Sequence, residues 1–249
     1  MNRTALSFLA ILIIAPLSIS FGNSDDFIAS GDSLYSIFDY ENSINEYSNA
    51  IASDSLSFEA YWKLARNLNE YAVLQPENEQ LELFEKASKL AQKTIALDSL
   101  LPEGHFEYAR AIGKIALFKG ILSSVGLAKI VKKEAEITLL LNPAHDGAYH
   151  MLGRWHREVS GTSKIVRVPL GLGEADRDKG LPLLSKAIEL SPALIHHRYE
   201  YGLSLIDSGF KNEADKQFEI CSELQAIGPL ETKYKKLAKE AKEYLAKKD

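Results

Sequence analysis

Three arginines recur at a fixed interval in this chain. Arg66, Arg110 and Arg154 stand 44 residues apart, and one helical turn before each is a ring: Trp62, Phe106 or His150. A guanidinium is a planar fork of donors that fits a carboxylate or a phosphate, and a neighbouring ring offers stacking or apolar contact. Lined up on one surface, the three pairs make a ladder for an anionic, partly apolar ligand, either a peptide with a carboxylate or a lipid-like molecule. Tyr199 continues the row of rings, but Leu203 stands where its arginine would be, so the last rung turns apolar. The plainer use of the same arginines is to pair with local acids such as Glu59, Glu103 or Glu107 and tie neighbouring segments together.

Spacing argues against other chemistry. His150 and His156 are six residues apart and face different sides of a helix, while adjacent His196 and His197 cannot both address one ion from a regular helix. No metal is therefore expected, and His156, four residues after Leu152, reads as a packed, hydrogen-bonded histidine. Gly171-Leu172-Gly173 lacks the third glycine and the preceding strand of a dinucleotide loop, and reads as a turn. There is no lysine-containing phosphate loop, no nucleophile elbow and no sign of a cleft shared by an acid–base pair. No catalytic residue and no cofactor is expected, and the chain is not read as an enzyme. The single cysteine, Cys221, excludes an internal disulfide and a cysteine-rich metal site, and is expected to be buried and inert.

The elements that must hold the ladder follow from the rest of the sequence. With 249 residues, 46% of them hydrophobic and 25% charged, the chain can bury a core. Its net charge of -5 gives no general attraction to nucleic acid. Residues 1–22 carry Arg3, an apolar stretch from Ala5 through Leu17, then small residues, the layout of a secretory signal peptide with cleavage expected after Gly22. The apolar run is too short to span a membrane. The mature protein is expected to be exported, periplasmic or secreted, with residues 23–249 as one domain and no stable membrane span.

Within that domain Tyr61-Trp62-Lys63-Leu64-Ala65-Arg66 aligns with His105-Phe106-Glu107-Tyr108-Ala109-Arg110 and with Tyr149-His150-Met151-Leu152-Gly153-Arg154. In each block a ring, a large residue and Ala or Gly fall at i, i+3 and i+4, one stripe of a helix. Second helices show the same spacing over 87–96, 131–141, 180–190 and 214–224, and Ser99, Pro143 and Pro192 punctuate three of their ends. Ala214, Phe218 and Cys221, and likewise Ser43, Tyr47 and Ala50, place small, bulky and small residues at i, i+4 and i+7.

This pattern resembles the second helix of a tetratricopeptide repeat. The predicted fold is all-α, an α-solenoid of about five tetratricopeptide-like hairpins with units near 24–57, 58–101, 102–145, 146–194 and 195–228. A capping helix follows over 229–249, with Tyr234, Leu237, Ala241, Tyr244 and Leu245 on its apolar side. The standard unit is about 34 residues, so the middle three are lengthened, with turn chemistry expected over 75–80, 119–126 and 160–180.

A more specific likeness lies in His150-Met151-Leu152-Gly153-Arg154-Trp155-His156-Arg157-Glu158-Val159-Ser160, which is similar to the hallmark segment of the regulator of microtubule dynamics family. Ala60 to Arg66, and Lys179 to Leu190 followed by Ser191-Pro192 and His196-His197, resemble it as well. The likeness covers roughly residues 40 to 245. It implies a helical repeat domain that acts by binding; eukaryotic members are associated with microtubules and membrane contacts. Here an export-type segment precedes the domain.

The expected function is thus a non-enzymatic interaction or scaffold protein that takes a peptide or protein partner in its concave groove. Its groove contacts are expected to be Trp62, Arg66, Phe106, Arg110, His150, Arg154 and Tyr199. The alternative is a carrier of a small amphipathic anionic ligand. Between them stand the apolar inserts, Leu117, Phe118, Ile121, Leu122, Val125 and Leu127, and Ile165, Val166, Val168, Leu170 and Leu172. Folded over the concave face they close a pocket; used to thicken the hairpins, they leave the surface open for an extended peptide, the simpler expectation.

Overall fold

The computed structural model describes residues 23–120 and 122–247, so the expected signal segment and Ile121 lie outside the described residues. Among the described residues twelve α-helices follow in order: α1 (Ser24–Ser36), α2 (Tyr40–Ser53), α3 (Phe58–Leu74), α4 (Glu77–Leu97), α5 (Pro102–Lys119), α6 (Val125–Leu141), α7 (Asp146–Ser160), α8 (Lys164–Arg167), α9 (Arg177–Leu190), α10 (Ile195–Asp207), α11 (Lys211–Glu223) and α12 (Gly228–Ala246). No strand occurs among them. Antiparallel neighbours pair as α1–α2, α3–α4, α5–α6, α7–α9 and α10–α11, and each pair packs on the next. This is an all-α solenoid of five hairpins.

The 44-residue register is built into the turns between hairpins. Asp54 Oδ1 accepts from the backbone N–H of Leu56, Asp98 Oδ1 from Leu100, and Asn142 Oδ1 from Ala144, at 2.9, 2.9 and 3.1 Å. Each side chain closes an Asx turn just after a second helix, where the chain must reverse. The small residues of the first-helix stripe let the partner helix approach. Gly202 is the clearest case, because a Cβ there would lie 2.5 Å from the Phe218 ring, and Phe218 is fully buried. Gly153 and Gly180 bring two backbones together: a Cβ on Gly180 would lie 2.9 Å from the Gly153 carbonyl oxygen. Tyr47, Phe84 and Phe218 fill the space so gained; burying one such ring contributes roughly 1.5–3 kcal/mol.

Two expected turns are shorter than the sequence implied. Of 75–80 only Gln75 and Pro76 stay outside helix, because Pro76 sits at the N-cap of α4 and Glu77 and Glu79 suit the positive end of its dipole. Between α5 and α6 only Gly120 to Ser124 separate the two, with a 3-10 turn at Leu122–Ser124. The extra residues of these units therefore lengthen helices. The third insert is a true excursion, pinned by buried Arg167, whose guanidinium donates to the carbonyls of Leu172, Gly173 and Ala175. Leu172 is buried, and Val125 and Leu127 pack on the main core, but Ile165, Val166 and Val168 stay exposed. The expectation that these residues fold onto apolar surface holds for Val125, Leu127 and Leu172, and not for Leu117, Phe118, Ile165, Val166 or Val168, which are exposed.

The C-terminal helix packs on α11 and α10, as a cap should, while its first turns reach the earlier hairpins. Leu230 joins the core formed by α3 to α7, and the Lys233 ammonium donates to the Val73 carbonyl at the end of α3. Gly228, with φ 82°, places its backbone so close to the first hairpin that a Cβ would fall 2.4 Å from the Phe38 ring. Helix α12 thus crosses the inner side of the solenoid. Among the described residues no helix is long and apolar enough to cross a membrane.

Candidate functional site

The first helices of the hairpins, α3, α5, α7 and α10, line the inner side, and between them and α12 lies a cavity of about 310 Å³. Its apolar wall includes Ala128, Val131, Met151, Trp155 and Leu230. Trp155 is held by donation from its indole N–H to the Ala128 carbonyl, 2.8 Å. Val73, Lys114, Arg154 and Tyr234 also border a smaller adjoining recess of about 260 Å³.

Of the residues expected in the groove, Phe106, Arg110, His150 and Arg154 line the cavity, and Tyr199 lines the recess. Trp62 and Arg66 line neither. The Arg66 guanidinium lies 3.8 Å over the Tyr35 ring and 5.0 Å over Trp62. The first hairpin covers that rung, so the ladder is blocked at its N-terminal end. The groove is not open along its length either, since α12 lies on it and Leu230 and Tyr234 form part of the cavity wall.

The two cavity arginines meet acids, but at long range. Arg110 approaches Glu70 at 3.4 Å and Glu107 at 3.6 Å; Arg154 approaches Glu158 at 3.6 Å and Glu200 at 3.9 Å. Glu70 is shared with the hydroxyls of Tyr35 and Tyr40, which donate to it at 2.8 and 3.2 Å. Glu200 is taken mainly by Arg157 at 2.6 Å. Pairing with Glu107 is as expected; Glu59 instead pairs with Lys63.

Lys114 stands between the two arginines, with Glu200 the acid whose charge acts on it. Among the described residues no group makes a hydrogen bond or ion pair with its amine. Burial, with Arg154 and Arg110 nearby, lowers its pKa to about 7. Sequence reasoning passed over it, although the signal was there. One turn beyond Arg66, Arg110 and Arg154 in the same 44-residue register stand Glu70, Lys114 and Glu158, and all three line the cavity.

The histidines also gather, against expectation. His150 of α7 and His196 and His197 of α10 line one side of the cavity, and their ring nitrogens come within 4.8 Å of one another. The pairs weighed from sequence were each within one helix; the cluster joins two. Burial, with His197 and His196 adding to it, holds His150 well below the usual imidazole range, and burial lowers His197 too. Asp146 is lowered by its hydrogen bond from His197, against the opposing effect of burial. His156 lies elsewhere, accepting from the backbone N–H of Asp176 at 3.1 Å. Cys221 is fully buried, and burial pushes its thiol up to about 12.

Stacked hairpins with inward-facing first helices and a C-terminal helix laid along them define a helical-repeat protein of the tetratricopeptide type. The family model for regulator of microtubule dynamics protein 1-3 matches residues 27–248, and the chain belongs to that family. Its fold is similar to that of a thermophilic TPR protein of Thermus thermophilus, TTC0263. That structure has a TM-score of 0.61 at 18% identity, with 85% of this chain and 96% of that chain covered. It is also similar to PilF of Pseudomonas aeruginosa, with a TM-score of 0.53 at 12% identity over 90% of this chain and 87% of that one. At such identities the likeness concerns the fold alone. No curated protein matches the chain.

Proposed function

We propose that this protein is a binding module with no catalytic step of its own, and that its central cavity takes the anionic end of an amphipathic ligand. The observation that carries this reading is Lys114, an amine without a hydrogen-bond partner among the described residues, set between Arg110 and Arg154 in a cavity whose wall also carries apolar side chains. A cation partly shielded from water without a hydrogen-bonded partner is costly, and an incoming carboxylate or phosphate supplies that partner. Phe106, Met151 and Leu230 then face the apolar part.

The ligand enters end-on, because α12 occupies the path that an extended peptide would follow. Two sources share this chemistry: the C-terminal carboxylate of a partner protein, and a free acyl chain with an acidic head. The cavity suits the head and first carbons of either, being near the lower bound of about 300 Å³ for ligand sites. Native mass spectrometry of the protein from its own host separates them, since a carrier retains a lipid-sized adduct and a peptide receptor does not.

The binding test uses fluorescence competition with dodecanoate, and with a short peptide ending in leucine as the free acid or the amide. Dodecanoate or the free-acid peptide should bind, and the amide should not. Changing Lys114→Met should weaken binding about tenfold or more, the scale of a charge-assisted hydrogen bond. Equal binding of acid and amide, or of wild type and the Lys114 variant, discards the reading.

Export completes the proposal. Residues 1–22 have a signal-peptide layout, and N-terminal sequencing of the mature protein should begin at Asn23. A chain recovered from the cytoplasm with Met1 intact would contradict it.

A further inference from the structure

The histidine cluster is built more carefully than a chance meeting of rings. His197 Nε2–H donates to Asp146 Oδ2 at 2.9 Å, and His196 Nδ1–H donates to Glu231 Oε1 at 2.5 Å. Each carboxylate fixes the proton on one nitrogen and leaves the other as a lone pair: Nδ1 of His197 and Nε2 of His196. Nδ1 of His150 lies 3.0 Å from Nδ1 of His197, so it is His150 that donates across this gap. Carboxylates that hold the far nitrogen of an imidazole are the usual outer partners of metal-bound histidine; they orient the ring and raise its basicity.

We propose that His150, His196 and His197 form a binding site for one divalent transition-metal ion of the zinc class in the wall of the cavity. The ion takes the place of the proton shared by His150 and His197. Two nitrogens bound to a tetrahedral zinc ion at 2.0–2.1 Å lie about 3.3 Å apart, close to the separation already present. Three imidazoles with no thiolate select a borderline ion such as Zn²⁺, Co²⁺ or Cu²⁺ over Mg²⁺ or Ca²⁺, which prefer oxygen. Three protein ligands leave a fourth position, and because all three rings line the cavity, that position faces it. The site also joins α7 to α10 directly, and through Glu231 to α12.

The test is a titration of the full chain, stripped with a chelator, with Co²⁺ followed by visible absorption, then displacement by Zn²⁺. One equivalent of Co²⁺ should give the d–d bands of a four- or five-coordinate ion, and Zn²⁺ should abolish them. Asp146→Asn should weaken binding about 10–100-fold through loss of the outer partner. His150→Gln should abolish the spectrum, while His156→Gln, outside the cluster, should keep it. No bands from wild-type protein, or the same bands from wild type and the His150 variant, overturns the proposal. The readout needs no organic ligand, so it stands or falls separately from the anion-binding reading.

Discussion

The Lys233 ammonium donates to the Val73 carbonyl oxygen at 2.5 Å, joining two residues 160 positions apart. Val73 lies in the last turn of α3, where carbonyls have no partner within the helix and a cation meets the negative end of the dipole. One bond thus fastens the N-terminal part of α12 to the second hairpin.

Replacing Lys233 by Met should therefore cost about 1–2 kcal/mol of stability, the range for a charge-assisted bond at a helix end. The loss should be local at first. Hydrogen exchange should show α12 opening more readily while α4 and α6 keep their protection. Unchanged protection along α12 would mean that Leu230 and Tyr234 hold it unaided.

Two glycines should respond to alanine in opposite ways. Gly202→Ala pushes a Cβ to 2.5 Å from the buried Phe218 ring and should destabilise by about 1–3 kcal/mol. Gly126→Ala, in the first turn of α6 with nothing within 4 Å of the new atom, should stabilise by about 0.5–1 kcal/mol. Urea denaturation of both variants checks the pair. A similar loss from each would show that close approach is not what Gly202 provides.

The arginine ladder should prove unequal. Arg154→Ala is expected to weaken binding of dodecanoate or the free-acid peptide by about tenfold, whereas Arg66→Ala should leave it within about twofold and instead loosen the first hairpin. Arg66 makes its contacts with Tyr35 and Trp62, outside the cavity. Competition binding on both variants decides the matter; equal losses would return Arg66 to the site.

Lys114 gives the pH dependence a definite sign. Its folded pKa, about 7, lies below the ordinary lysine value, so between about pH 7 and 10 the unfolded chain binds more protons than the folded one. Stability should therefore rise with pH across that window, and Lys114→Met should flatten the rise in melting curves. Anion binding should run the other way, weakening above pH 7 as the amine loses its charge. The charged and titratable groups around it include Glu70 of α3, Arg110 of α5, His150, Arg154, Arg157 and Glu158 of α7, Tyr199 and Glu200 of α10, and Lys233 and Tyr234 of α12. Since Arg110 and Arg154 keep their charge throughout, a residual affinity at pH 9 is expected.

The repeat was legible because its signals are local. Asp54, Asp98 and Asn142 close their turns within two residues, and Ala65, Ala109, Gly153 and Gly202 mark the stripe that meets the second helix within one hairpin. The site was legible only in part. Arg110 and Arg154 could be placed on one surface by register, and the same register would have singled out Lys114. What blocks the first rung, Arg66, is Tyr35, from a hairpin whose position no spacing in the sequence specifies. The path of α12 was hidden for a similar reason. An amphipathic helix tells which side it buries, while the surface that receives it depends on the curvature of everything before it. His150 and His197 lie 47 positions apart and meet because hairpins stack, so a search for ligands within one helix passes them by.

The strap formed by α12 sets an order of events. Tetratricopeptide-type arrays are quasi-one-dimensional, and each added unit firms up the one before it. Here a segment translated late must swing back to touch a surface made early, so the molecule resembles a latched clasp more than a growing stack. The cavity, walled in part by Leu230 and Tyr234, comes into being only when the clasp shuts. Until α12 has been made and has closed, the chain has no finished chamber.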